Sequence, residues 1–231
     1  MSALLESRVD AVANHLRQSA AVKQRTIESC TNSILAAAEL IAESFRAGGK
    51  LMLCGNGGSA ADCQHTAAEF TSRLSADFVR PGLPAIALTT DTSFLTAYAH
   101  DFDFDGVFAR QVQAIGKPGD VLLGISTSGR SKNVIRAFEA AMGMGVRRVV
   151  LTGSGEPGGV SPRISLSNTQ ESGRMPLLRV ADIAICVPSD NTQHIQETHL
   201  AIEHILCHLV ERAMFGSGTL DIGATATAGD R

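Results

Sequence analysis

The chain has 231 residues, 44% of them hydrophobic, and a formal net charge of −3. That composition supports a sizeable core and excludes an intrinsically disordered chain. The charges are interspersed, which argues against a nucleic-acid-binding surface, and no apolar run reaches the roughly 18 residues of a membrane span.

Residues 1–8 carry the acidic Glu6 and no apolar stretch, so no secretory signal is expected there, and a cytoplasmic location is. Five cysteines are present, Cys30, Cys54, Cys63, Cys186 and Cys207. Their odd number, the lack of a C-x-x-C pair and their apolar neighbours predict buried, reduced thiols.

From residue 2 to 46 apolar residues recur at helical spacing: Ile27, Ile34, Ala38, Ile41 and Phe45. Gly48-Gly49 ends that segment, and two consecutive helices are expected in it. Five continuous apolar runs follow, at 50–54, 84–88, 121–126, 148–152 and 183–187. Each reads as a strand buried on both faces. Helical patterns fill 59–74, 104–115, 133–144 and 192–215 between and after them. Strands alternating with helices predict right-handed βαβ units. The expected fold is α/β: a three-layer αβα sandwich with a five-stranded parallel sheet, preceded by N-terminal helices. Residues 1–215 form one domain in this reading. Residues 155–179, rich in glycine, proline and polar residues, read as a long loop, and 216–231 as a disordered tail.

Ligands of open parallel sheets bind beyond the C-terminal strand ends. Two such ends are rich in small polar residues. After the first strand stands Gly55-Asn56-Gly57-Gly58-Ser59, which is not a G-x-G-x-x-G. After the third stands Ser126-Thr127-Ser128-Gly129-Arg130-Ser131, which leads into a helix N-terminus. Hydroxyls and unpaired N–H groups at a helix start favour a phosphate dianion. No lysine at Walker spacing follows, so a nucleotide P-loop is not indicated. A serine-rich turn with a simple N-cap is the alternative.

His65 and Glu69 are four apart on the helix after the first loop and share a face. Taken alone they also fit a surface helix pair. Ala67, Ala68 and Phe70 around them are expected to be buried, and a glutamate among apolar neighbours needs a partner such as a metal or a substrate proton. The last helix adds Gln196, His199, His204 and His208. Nitrogen and oxygen donors of these types suit zinc or a similar divalent ion.

These residues carry a resemblance. Gly55-Asn56-Gly57-Gly58-Ser59, His65-x-x-x-Glu69, Ser126-Thr127-Ser128-Gly129-x-Ser131 and Ile195-Gln196-Glu197-x-His199 with His204 resemble the phosphoheptose isomerases of the SIS (sugar isomerase) family. Arg80-Pro81-Gly82-Leu83-Pro84-Ala85 and Gly119-Asp120-Val121-Leu122-Leu123-Gly124 match as well, so the resemblance spans nearly the whole chain to about residue 215. It implies isomerisation of sedoheptulose 7-phosphate to D-glycero-D-manno-heptose 7-phosphate through an enediol. It also implies a homotetramer with active sites at subunit contacts, and one zinc per subunit held by His65, Glu69, Gln196 and His204. Glu69 and His204 would be the catalytic acid–base groups. Asn56, Gly57, Gly58, Ser59, Glu69, His100, Asp101 and Gln196 would line the substrate, with Ser126, Thr127, Ser128 and Ser131 around its phosphate.

The chain departs from the family pattern at His100-Asp101, where Asn-Asp is usual, and in the length of 155–179. Gln196 and His204 are also eight apart, about 12 Å of rise on a straight helix. They share a metal only if the helix begins or bends at Gln196, or if different subunits contribute. The alternatives are an SIS isomerase for another phosphosugar, or a non-catalytic SIS regulator resembling the DnaA initiator-associating protein. That regulator lacks the glutamate and histidine that the isomerase uses.

Overall fold

No proline or glycine interrupts the first 46 residues, and nothing local can end a helix there. The computed structural model describes residues 3–154 and 175–216, and it shows one continuous helix, α1 (Ala3–Arg46), where two were expected. Its 44 residues make a rod of about 66 Å. The chain turns at Gly48, which has φ +78°, and enters β1 (Leu51–Gly55).

The remaining elements alternate. α2 (Gly58–Thr71), β2 (Ala85–Ala87), α3 (Thr92–Asp101), a short 3₁₀ turn (Phe104–Gly106) and α4 (Val107–Ile115) come first. β3 (Val121–Ile125), α5 (Lys132–Gly143), β4 (Arg147–Gly153), α6 (Leu177–Val180), β5 (Ile183–Val187) and α7 (Thr192–Phe215) follow. The five strands form one parallel sheet in the order β2-β1-β3-β4-β5. This is the expected sheet.

Side chains alternate across it with the period of two that a strand imposes. Leu51, Leu53, Leu123, Ile125, Leu151 and Ile185 pack toward α1, α2 and α7. Met52, Cys54, Leu122, Val150 and Ala184 pack toward α4 and α5. Helices therefore cover both faces. The second expected strand differs from its reading: β2 is only three residues long and an edge strand. Ile86 on it is 43% exposed because nothing pairs beyond it. All five cysteines are free and buried, and burial pushes the Cys186 thiol up to about 12. Such thiols are inert at neutral pH. Among the described residues no helix is long and apolar enough to cross a membrane. The expected long loop falls mostly, and the expected tail almost wholly, outside the described residues.

Candidate functional site

The strand order decides where a ligand fits. From β1 the chain steps outward to β2; from β3 it steps the other way, to β4 and β5. The crevice of such a sheet lies at the C-terminal ends of the two strands where the order reverses. Those strands are β1 and β3, and they carry the two small-residue loops.

In the first loop Gly57 has φ +57°, a conformation that costs a residue with a Cβ. At Gly58 a Cβ would collide with the side chain of Gln196. The glycines thus bring the α2 N-terminus and α7 into direct contact. Ser59 is buried beside them.

In the second loop Ser126 is buried, Thr127 and Ser131 are half-buried and Ser128 is exposed. Ser131 stands at the N-cap of α5 but makes no side-chain cap bond there. Its hydroxyl lies 2.9 Å from that of Ser126. The simple N-cap alternative therefore does not describe Ser131. Ser128 Oγ accepts from the Arg130 N–H at 3.3 Å, which curls the loop over its own hydroxyls.

The two loops are joined by an amide pair, Asn56 with Asn133. Asn133 was not a candidate from sequence. It lies two residues past Ser131, and no local pattern distinguishes it from any other helix-start amide.

The ionisable candidates divide into two groups. His65 Nε2 on α2 and His204 Nε2 on α7 are 2.8 Å apart, with their rings edge to face. Glu69 Oε1 is 3.8 Å from the same His65 nitrogen, and Glu69 Oε2 is buried with no hydrogen-bond partner. Residues 139 apart in sequence thus form one patch. Ala67 and Phe70 are buried beside it as expected, whereas Ala68 is exposed on the outer face of α2.

Gln196 makes a different contact on α2. Its Nε2 donates to Asp62 Oδ2 at 3.1 Å, and its side chain covers Gly58. α7 is unbroken from Thr192 to Phe215, so no bend carries Gln196 toward His204. His100 and Asp101 are exposed at the end of α3 and pair with each other at 2.9 Å. Among the described residues no hydrogen bond or ion pair links them to another candidate.

Three charged side chains to which the sequence assigned no role shape this region. Asp62 is held above the usual carboxylate range by burial, with Gln196 and His65 opposing. Glu203 is wholly buried and accepts from Thr66 Oγ1 at 2.9 Å. Burial foremost, with the charge of Asp62 adding, pushes it up to about 8. Arg80 lies under the last turn of α2 and donates to the carbonyls of Glu69 and Phe70, both at 2.8 Å. Its Nε reaches Glu211 Oε2 at 3.1 Å. His199, by contrast, is a core residue: burial lowers it to about 4, so it is neutral at pH 7.

A metal can be tested against these donors. Two imidazole nitrogens and a carboxylate with an orphaned buried oxygen are the donor types zinc takes. Among the described residues, however, no three His, Cys, Asp or Glu side chains close into a cage. The donor chemistry fits: His65, Glu69 and His204 lie together, and Gln196 holds Asp62, about one turn before His65 on α2.

Comparisons with known proteins bear on the same region. The SIS domain family matches residues 14–153, which include both loops and the His65–Glu69 pair. A phosphoheptose isomerase of Roseiflexus sp. (strain RS-1) is 50% identical over 204 residues, covering 88% of this chain and 93% of that one. Another from Akkermansia muciniphila is 44% identical over 192 residues, covering 83% and 91%. Among solved structures, a phosphoheptose isomerase from Neisseria gonorrhoeae superposes with a TM-score of 0.71 at 39% identity. It is matched over 97% of its length and 87% of this chain. One from Francisella tularensis gives 0.76 at 33%, over 98% and 89%. The chain belongs to the SIS-domain sugar-phosphate isomerases and, within them, to the phosphoheptose isomerase family.

Proposed function

We propose that the protein interconverts sedoheptulose 7-phosphate and D-glycero-D-manno-heptose 7-phosphate through an enediol. The observation that carries this reading is the convergence of Glu69, His65 and His204 from two helices, on the sheet whose switch point holds the hydroxyl-rich loop. In the proposed reaction Glu69 takes a proton from carbon 1 of the ketose and returns it to carbon 2. His204 carries a proton from the oxygen on carbon 1 to the oxygen on carbon 2. Both are ordinary general acid–base roles. His65, Glu69 and His204 would hold one zinc per subunit, and zinc when bound supplies Lewis-acid polarisation of the carbonyl. Gln196 would be the fourth donor on releasing its bond to Asp62.

Ser126, Thr127, Ser128 and Ser131 would hold the phosphate, with the first turn of α5 behind it. Phosphate binding contributes almost equally to ground and transition states. Ser128→Ala is therefore expected to raise KM roughly tenfold or more with little change in kcat. Steady-state kinetics check this, and an unchanged KM would place the phosphate elsewhere.

The protein is proposed to act in the cytoplasm as a homotetramer. Val9, Val12, Leu16, Ile27 and Leu35 on α1 are each at least half exposed, a long apolar stripe for a single chain. Sedimentation at assay concentration tests this; a monomer would contradict it. The test of the function itself is turnover of sedoheptulose 7-phosphate by the purified protein, against a panel of other sugar phosphates, before and after chelation.

A further inference from the structure

Asn56 and Asn133 come from opposite sides of the switch point. Asn56 follows β1, and Asn133 is the second residue of α5. Each amide donates to the other. Asn56 Nδ2 reaches Asn133 Oδ1 at 2.9 Å, and Asn133 Nδ2 reaches Asn56 Oδ1 at 2.8 Å. Asn133 Oδ1 also accepts from the backbone N–H of Val134 at 3.0 Å. That second bond fixes which way the amide faces, because only an oxygen can accept there. The NH₂ group is left to face Asn56. Asn133 is 3% exposed, so an unpaired amide at this place would be costly.

We propose that Asn133 is a positioning residue for catalysis. Its paired amide locks the β1–α2 turn to the β3–α5 loop. It thereby sets the distance between the phosphate end of the substrate and the groups carried on α2. This rests on the sugar-phosphate isomerase reading. One end of the substrate is anchored at Ser126–Ser131, while Glu69 acts from the other loop's helix. Nothing else at the switch point ties the side chains of the two loops reciprocally among the described residues. This pairing takes one donor and one acceptor position of the Asn56 amide and leaves one of each, so Asn56 can hold Asn133 and still face the substrate.

The test is a cycle of N133A, N56A and the double variant, read as kcat and KM for sedoheptulose 7-phosphate. The phosphate loop keeps its own hydroxyls in all three. A misplacement of about 1 Å can cost about 10²-fold in rate, so kcat should fall about that much while KM holds within about threefold. N133A alone should be slow, and the double variant should be no slower than N56A, because both single changes break the same pair. Losses that multiply in the double variant would show that the two amides act independently and would overturn the proposal. So would a raised KM with unchanged kcat in N133A, which would assign Asn133 to phosphate binding. N133D serves if N133A is unstable. Its carboxylate suits the first turn of a helix and keeps the accepting oxygens, but it cannot donate to Asn56. Lowered kcat is expected there too, and wild-type kcat in N133D would overturn the brace. Wild-type turnover is the control. Its absence defeats the isomerase reading, whereas active wild type with equally active variants defeats only the brace.

Discussion

Glu69→Gln is expected to lower kcat by about 10²–10⁴-fold, the range that a positioned general base contributes. The structure gives three reasons for choosing this residue. Its side chain is mostly covered yet not sealed, at 19% exposure, so it can meet a ligand and exchange its proton. One carboxyl oxygen is near His65, and the other is buried with no partner. A buried oxygen without a hydrogen bond costs free energy unless something else supplies the contact, and a substrate proton or a metal would. Glutamine keeps the volume and the helix but cannot take a proton from carbon, so the variant should fold normally. Zinc content must be measured in the same preparation, since Glu69 is also a proposed ligand. A variant that retains metal and turns over at the wild-type rate would remove Glu69 from the mechanism.

The second large effect is on stability. Arg80→Met is expected to destabilise the protein by about 3–5 kcal/mol, the usual cost of breaking a buried ion pair by removing one partner. The guanidinium and the Glu211 carboxylate are both fully buried. Arg80 also satisfies carbonyls at the end of α2, among them those of Glu69 and Phe70. The last carbonyls of any helix have no partner of their own and favour a cation. Without Arg80, Glu211 is left without its partner in the core and the Glu69 carbonyl loses its donor, while the Phe70 carbonyl keeps the Leu83 N–H at 2.9 Å. For a domain of this size the loss corresponds to a fall in Tm of roughly 6–20 °C, compared at equal protein concentration. Adding E211L should restore much of the stability, because two apolar residues often replace a buried pair without loss. It should not restore kcat fully, since the turn bearing Glu69 is no longer gripped. Denaturation of R80M within about 1 kcal/mol of wild type would show that the pair is not what holds this turn.

What was legible in the sequence follows from how far apart the determinants lie. Four of the five strands could be read because each is a continuous apolar run buried on both faces; β2, at the edge, is shorter than its apolar run. The two loops could be read because their glycines and hydroxyls are consecutive. α3 was missed because it has no buried residue, so no apolar stripe marks its period. α1 was split in two because the apolar residues of its first half, Val9, Val12 and Leu16, are exposed and fall outside the core-facing stripe of Ile34, Ala38, Ile41 and Phe45. Pairs that bridge distant segments left no local trace: Asn56 with Asn133 are 77 residues apart, and Arg80 with Glu211 are 131 apart. His204 was one of several donors read on the last helix, and the family resemblance singled it out. The bond of Gln196 to Asp62 left no trace in the sequence either, because only the packing of α7 on α2 forms it. His100 and Asp101, also taken from the resemblance, stand exposed and paired with each other.

The measurement closest to the central claim is conversion of sedoheptulose 7-phosphate by the wild-type protein in D₂O, followed by NMR. Transfer through a partly exposed carboxylate predicts an aldose 7-phosphate carrying deuterium at carbon 2. It also predicts deuterium appearing at carbon 1 of the recovered ketose as the reaction runs back. A folded, zinc-supplied protein that forms no aldose, or forms it with no deuterium in either sugar at equilibrium, would contradict the account.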